Sequence, residues 1–234
     1  LEKVLITSGC SFSETISDSI NTWPRHLAKS MPECRHISGA MGSQGNGLIS
    51  RSIIHACTQY KDSDMLVGIV WSGPDRHDFY YKNSKVGENK EGWMENPTGF
   101  TKNKNWVILN YNWSNPYAKA YYGMFHDYVG GKIYTLEHIL RTQWFLKQHN
   151  IKYFMSTYTK EVLERIKDHV DCKHLYDLID FDCFLPVDGV YEWVRDNIGN
   201  SAFGLPGDNH PSSDAHKQFT NSVIIPFMEK KQYI

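Results

Sequence analysis

An α/β fold, with a central parallel sheet and helices on both faces, is predicted by three features of this chain. Short, continuously apolar runs such as Val4-Leu5-Ile6 and Met65 to Trp71 suit strands covered on both sides. Segments of helical periodicity alternate with them along the chain. A glycine-rich stretch, Gly39 to Gly47, stands where a strand would hand over to a helix.

Residues 3–8 read as the first buried strand, and Trp23-Pro24 marks the neighbourhood of the first helix, with Trp23 in the core. Cys34 to Ser38 is a second strand of thin apolar content. Leu48, Ile49, Ser52, Ile53 and Ala56 fall at helical spacing, and Met65 to Trp71 follows as the third strand. Leu136 to His149 reads as a helix with Leu136, Ile139, Leu140 and Trp144 inward, and Ile151 to Met155 as the next strand. Ala215, Phe219, Val223 and Phe227 mark a closing helix. In such a sheet the functional site is expected at the C-terminal edge of the strands.

Residues 79–134 interrupt the alternation and carry eight of the fourteen tyrosines and three of the seven tryptophans. An insertion so aromatic should fold, either as a lid or wall of the binding cleft or around its own small core of Trp93, Trp106 and Trp113. The charged run Lys82 to Glu95 reads as a solvated loop. The 234 residues are expected to form one domain, 1–234, carrying this insertion.

Lys and Arg number 25 against 26 Asp and Glu, so no global field draws the protein to nucleic acid or an anionic membrane. The five cysteines are odd in number and widely spaced, which fits a reducing compartment. No apolar run reaches the ~18 residues of a membrane span, and no signal peptide is visible, so a cytoplasmic location is expected.

Ser11 follows the first strand in Gly9-Cys10-Ser11-Phe12-Ser13, a place where a tight turn can present a nucleophile. Near the other end, Gly207-Asp208-Asn209-His210-Pro211 offers a carboxylate and an imidazole two residues apart, which share a side in extended backbone. Pro211 favours that extension in His210, and Ser212, Ser213 and Asp214 look like a helix start that would end the loop. Ser11 as nucleophile, His210 as base and Asp208 as its orienting partner make a Ser-His-Asp arrangement.

Ser13 stands where a Gly-x-Ser-x-Gly elbow would have its second glycine, which disfavours an α/β-hydrolase. The two blocks, in this order and at these ends, resemble the SGNH or GDSL hydrolase superfamily, with Cys10 in place of the usual Asp. The first block looks like the Gly-Cys-Ser-Phe variant of bacteriophage and environmental members. The resemblance covers about residues 3–76 and 136–228. It implies a flavodoxin-like three-layer α/β/α sandwich and an ester hydrolase working through an acyl-enzyme, with no cofactor or metal. It also implies an oxyanion hole whose second block supplies a glycine N–H, at Gly42 or, with a shifted alignment, Gly45.

The third block departs from that pattern. Trp71-Ser72-Gly73-Pro74-Asp75-Arg76 lacks the usual Asn, and an ionised Asp75 cannot donate. Either Asn46 supplies the amide, or backbone N–H groups form the hole alone. Arg76 can bind a carboxylate or the acyl oxygen, or pair with Asp75 or Asp78. Asp75, His77 and Asp78 match no familiar metal spacing. Cys10 is expected to pack, and His216 to serve a structural or supporting role.

The expected substrate is a small-molecule or glycan ester, an O-acetylated carbohydrate being favoured by the aromatic insertion. Acyl transfer to a sugar hydroxyl would use the same residues. Two other readings stay open: a non-catalytic glycan- or protein-binding protein of the same fold, and a flavin or nucleotide binder. The latter lacks a basic residue beside its glycines. The sequence leaves the oligomeric state open.

Overall fold

The computed structural model describes residues 1–14, 21–80, 106–112, 116–164, 166–203 and 209–234. Four parallel strands form the central sheet: β1 (Lys3–Ser8), β2 (Arg35–Ser38), β3 (Asp64–Trp71) and, further along, β6 (Lys152–Thr157), in the order β2-β1-β3-β6. Val4 pairs with Arg35 on one side and Met65 on the other, and Leu66 pairs with Lys152.

Alternate strand residues feed two cores, as the two-residue period of a strand requires. Val4, Ile6, Val67, Ile69, Tyr153 and Met155 face α2 (Asn46–Gln59) and α4 (Tyr128–Gln148). Leu5, Leu66, Val70 and Phe154 face the other layer. That layer holds α1 (Trp23–Ser30) and the closing helical run of α7 (Ser213–Phe219), a π turn (Thr220–Ile224) and α8 (Ile225–Lys230). Gly68 in mid-strand makes this second layer possible, because a Cβ there would stand 2.6 Å from the Phe154 ring and 3.0 Å from Trp23.

The apolar runs thus became strands and the periodic segments helices, with informative departures. Trp144 is 57% exposed rather than inward. The buried face of α4 runs instead through Leu136, Ile139, Leu140, Gln143 and Leu146. Gln143 earns its burial by bonding both the carbonyl and the amide of Asp180, at 2.8 and 3.2 Å. The helix also starts eight residues before Leu136, at Tyr128. The Asp127 side chain caps it by accepting from Gly130 N–H at 2.9 Å, which helps offset the ~1 kcal/mol cost of each early glycine. In the closing run Ala215, Phe219, Val223 and Phe227 are all buried. Their strict spacing of four would drift around an α-helix, and the wider π turn between them keeps the apolar face in register.

The interruption after β3 contains β4 (Arg76–Tyr80) and β5 (Trp106–Asn110), paired antiparallel, then α3 (Pro116–Met124) and α5 (Val170–Tyr176) and α6 (Val190–Asn197) complete the helices further along. Trp106 and Ile108 pack on Met41 and Leu48 of the main body, while Val107 and Leu109 pack on Ala118 of α3. Trp106 is therefore part of the seam with the α/β frame and not of a private core, as the tryptophan-core reading had it. Trp93, Trp113 and the charged run from Lys82 to Glu95 lie outside the described residues. Among the described residues no helix is long and apolar enough to cross a membrane.

Candidate active site

Ser11 sits in a turn closed by Ser13 N–H and Glu14 N–H, both donating to the Cys10 carbonyl, at 2.8 and 3.1 Å. The turn is compressed against β3. A Cβ on Gly9 would lie 2.2 Å from Ser13 Oγ and 2.9 Å from the Val70 carbonyl, so only glycine fits. Ser13 Oγ is fixed in turn by Trp23 Nε1, which donates to it at 2.9 Å. Cys10 is fully buried in the core beside α1, facing away from solvent as expected.

His210 reaches the same place from the other end of the chain. Pro211 forms a bridge with Phe203, Ser212 N–H donates to the Ala202 carbonyl at 2.7 Å, and Ser212 Oγ caps α7 by accepting from Ala215 N–H. These three ties hold the segment that carries His210, and its ring packs on Phe12 with centroids 5.1 Å apart. The result is a hydrogen bond of 2.7 Å between Ser11 Oγ and His210 Nε2, across 199 positions of sequence. With the proton on Nδ1, Nε2 accepts from the serine hydroxyl, the arrangement a general base needs. Asp208 lies outside the described residues.

His216 lies beneath this base, buried, with Nδ1 lacking a hydrogen-bond partner among the described residues. Burial first, and then the neighbouring His26 and His210, push its pKa down to about 3. It is a neutral packing residue at any ordinary pH.

The opposite flank of Ser11 is built differently. The glycine-rich loop is tied to the Ser11 turn by Gln44, whose Nε2 donates to the carbonyls of Gly9 and Gly39. Met41 N–H adds a bond to Gly9 O at 3.2 Å. Gly42 is thereby brought to the site, and its N–H donates to Glu14 Oε2 at 2.7 Å. Burial raises the Glu14 carboxyl above its usual range, and the Gly42 bond lowers it in part. Gly45 N–H is engaged elsewhere, donating to Asp78 Oδ1 at 2.5 Å, and Leu48 N–H donates to Asp78 Oδ2 at 2.7 Å. Asp78 thus caps the start of α2 from a distant strand.

The amide of Asn46 is engaged within the protein. Its two amide hydrogens go to the Ser72 carbonyl at 2.9 Å and Thr135 Oγ1 at 3.0 Å, and its Oδ1 accepts from Ser72 N–H at 2.7 Å. A side chain so fully used pins α2 to the end of β3 and to α4. This leaves the alternative of a hole built from backbone N–H groups.

Glu14, Gln44 and Thr135 had escaped the sequence reading. Gln44 carried a usable signal, being the one long polar side chain in a run of small residues from Gly42 to Gly47. Glu14 and Thr135 carried none, because each meets its partner only through packing.

The architecture now in view is a parallel sheet between helical layers, with a serine on the turn after β1 and a histidine ahead of the last helix. Its overall course is similar to the crystal structure of TesA, with a TM-score of 0.54 over 97% of this chain and 98% of that one. The fold is a three-layer α/β/α sandwich with a central parallel sheet, as in that structure. Sequence identity with TesA is 11%, so the likeness shows the fold and not the activity. No protein-family model matches the chain, and neither does any of the curated proteins searched.

Proposed function

We propose that this protein is a serine ester hydrolase of the SGNH type. The reading rests on the 2.7 Å contact between Ser11 Oγ and His210 Nε2. Ser11 Oγ attacks the ester carbonyl while its proton passes to His210 Nε2. The tetrahedral intermediate collapses as His210 returns that proton to the departing alcohol, leaving an acyl-serine. Water, deprotonated by the same nitrogen, attacks the acyl-serine and releases the acid. Asp208 orients the imidazole and stabilises its cation.

The N–H groups of Ser11 and Gly42 receive the oxyanion, and for this Glu14 must give up its bond to Gly42. A carboxylate facing a developing oxyanion opposes it, whereas a buried carboxyl with a raised pKa is more readily neutralised or displaced. Substrate entry is the event that displaces it. An O-acetylated carbohydrate is the favoured substrate class. Partly exposed Phe79 and Tyr80 and exposed Tyr111 and Tyr117 on the inserted segment offer faces on which a sugar ring can stack.

Covalent labelling by a fluorophosphonate and release of p-nitrophenol from its acetate test the reading in wild type, Ser11→Ala and His210→Ala. Labelling confined to proteins that keep Ser11 is expected. An unlabelled wild type, or undiminished turnover in Ser11→Ala, would sink it.

The same Glu14 contact favours a second reading, a non-catalytic ligand-binding protein whose hole stays plugged. It predicts saturable glycan binding without labelling of Ser11.

A further inference from the structure

A cavity of about 310 Å³ lies between the start of α2, β4, β5 and α4, on the C-terminal side of the sheet. Its volume suits a single ring with substituents. Arg51, Arg141, His77, His126 and His138 line it together with Trp106. Among the described residues of the wall Asp78 is the one carboxylate, and both its oxygens accept from the Gly45 and Leu48 amides. Among those residues the balance of formal charge is positive.

The guanidinium groups are held in place before any ligand arrives. Arg51 lies over the Trp106 ring, 4.7 Å from its centroid, and Arg141 Nε and Nη2 both donate to Ser50 Oγ, at 3.1 and 2.9 Å. His77 stacks on Tyr121 at 4.4 Å with the planes 15° apart. Burial first, then the charges of Arg141 and Arg51 and the nearby His77, hold His138 at about 4. Burial and the two guanidinium charges both favour the neutral imidazole there.

Arg76 ties the cavity to the nucleophile. It contributes to the cavity wall, lies beside Cys10, the residue before Ser11, and sits over the Tyr158 ring at 5.3 Å. Cys10 and Asp75 favour its charge, yet among the described residues its buried Nε and Nη1 have no hydrogen-bond partner, a condition that an incoming anionic oxygen would relieve. Asn46, at another point of the wall, is the residue that anchors the end of β3. The cavity and Ser11 thus share the same edge of the sheet.

We propose that this cavity binds the anionic part of the substrate, a carboxylate or phosphate carried on a small ring, and so selects acidic esters over neutral ones. The inference rests on the ester-hydrolase reading for its consequence, and on the cavity alone for its binding. Arg51 and Arg141 supply the charge, Trp106 a face for the ring, and the imidazoles hydrogen-bond donors that adapt to the oxygens.

Two measurements separate the parts. Binding of 4-hydroxybenzoate and of inorganic phosphate is followed by calorimetry in Ser11→Ala protein, where turnover plays no part. Each is expected to bind, and affinity should fall by about tenfold or more in added Arg51→Gln or Arg141→Gln, as loss of one partner from a charge pair implies. The pKa of His138, read by NMR, should rise when either anion is bound, a response that a merely structural role for the arginines would not give. Folding of the variants is checked by the same NMR spectra. If one fails to fold, the other and the His138 titration decide.

The second measurement compares kcat/KM for 4-acetoxybenzoate with that for its methyl ester in proteins that retain Ser11. A preference of about tenfold for the acid, reduced in Arg51→Gln, is expected. Absence of anion binding overturns the site. Binding of inorganic phosphate without preference for the acidic ester overturns its assignment to the substrate. No turnover of either ester strikes the hydrolase reading and leaves the binding result to stand or fall on the first measurement.

Discussion

The two flanks of Ser11 are built on opposite principles. On the base flank, the segment carrying His210 is tied down through Pro211 and Ser212, and His210 Nε2 meets Ser11 Oγ at 2.7 Å. On the oxyanion flank, the candidate donors of the glycine-rich loop are already bonded: Gly42 to Glu14, Gly45 to Asp78, Asn46 to Ser72 and Thr135. The first flank is poised, and the second is structurally satisfied and must be opened. A serine site thus needs donors that can be released as well as a base within reach, because a donor that never leaves its protein acceptor stabilises no transition state.

The largest test of this contrast is removal of the poised pair. Ser11→Ala and His210→Ala should each lower kcat for p-nitrophenyl acetate by about 10³-fold or more, and the double variant no further, since the two act as one unit. Additive losses in a steady-state assay would break the pairing.

Glu14→Ala opens the other flank. Acyl turnover is expected to rise by about two- to tenfold as Gly42 N–H is freed, a gain within the worth of one oxyanion donor. A fall beyond tenfold would instead make Glu14 part of the reacting machinery.

Asn46→Ala separates architecture from catalysis. Three buried hydrogen bonds are lost, so chemical denaturation should register about 1–3 kcal/mol of lost stability. The change in kcat should stay under tenfold, where loss of a true oxyanion donor costs about 10²–10³. A loss in that higher range would restore Asn46 to the hole.

Stability is also expected to be acid-sensitive, in part through the base flank. His216 at about 3, with His36 and His138 at about 4, titrates below the ordinary 6.5 when folded, so the unfolded chain binds more protons between those values. Their contribution to stability is complete above about 6.5 and is lost as pH falls through the window. Asp78, raised to about 6 by burial, works in the opposite sense, losing stability as pH rises from about 4 to 6. Glu14, also raised, works in the same sense as Asp78, while His26 and His77, both lowered, add to the larger imidazole side. The melting temperature should therefore decline from pH 6.5 downward, and His216→Leu should flatten the decline. An unchanged slope would remove His216 from this account.

The smallest effect expected is that of Trp23→Phe, which deletes the bond to Ser13 Oγ behind the turn. About 1 kcal/mol of stability should be lost with kcat nearly unchanged.

Much of this molecule is legible in its sequence. The buried strands announced themselves because residues covered on both faces must all be apolar, and Ser212 as the cap of α7 followed from local hydrogen-bond chemistry that any helix start obeys. Ser11 behind β1 and His210 before Pro211 were candidates for the same reason, being set by neighbours in sequence. Trp144 failed because helical spacing gives a face but not its exact rotation, which the polar residue Gln143 fixed through Asp180.

What the tertiary structure alone decided is which partner each polar group meets. The Ser11–His210 bond, the hold of Glu14 on Gly42, the distant cap that Asp78 gives α2 and the arginine-lined cavity all join residues at least 28 positions apart or on different elements. Periodicity and turn chemistry act over a few residues and leave such pairings open. Only packing of the sheet and its two layers brings the donors and acceptors to bonding distance, and with them the difference between a base that is ready and an oxyanion hole that is still occupied.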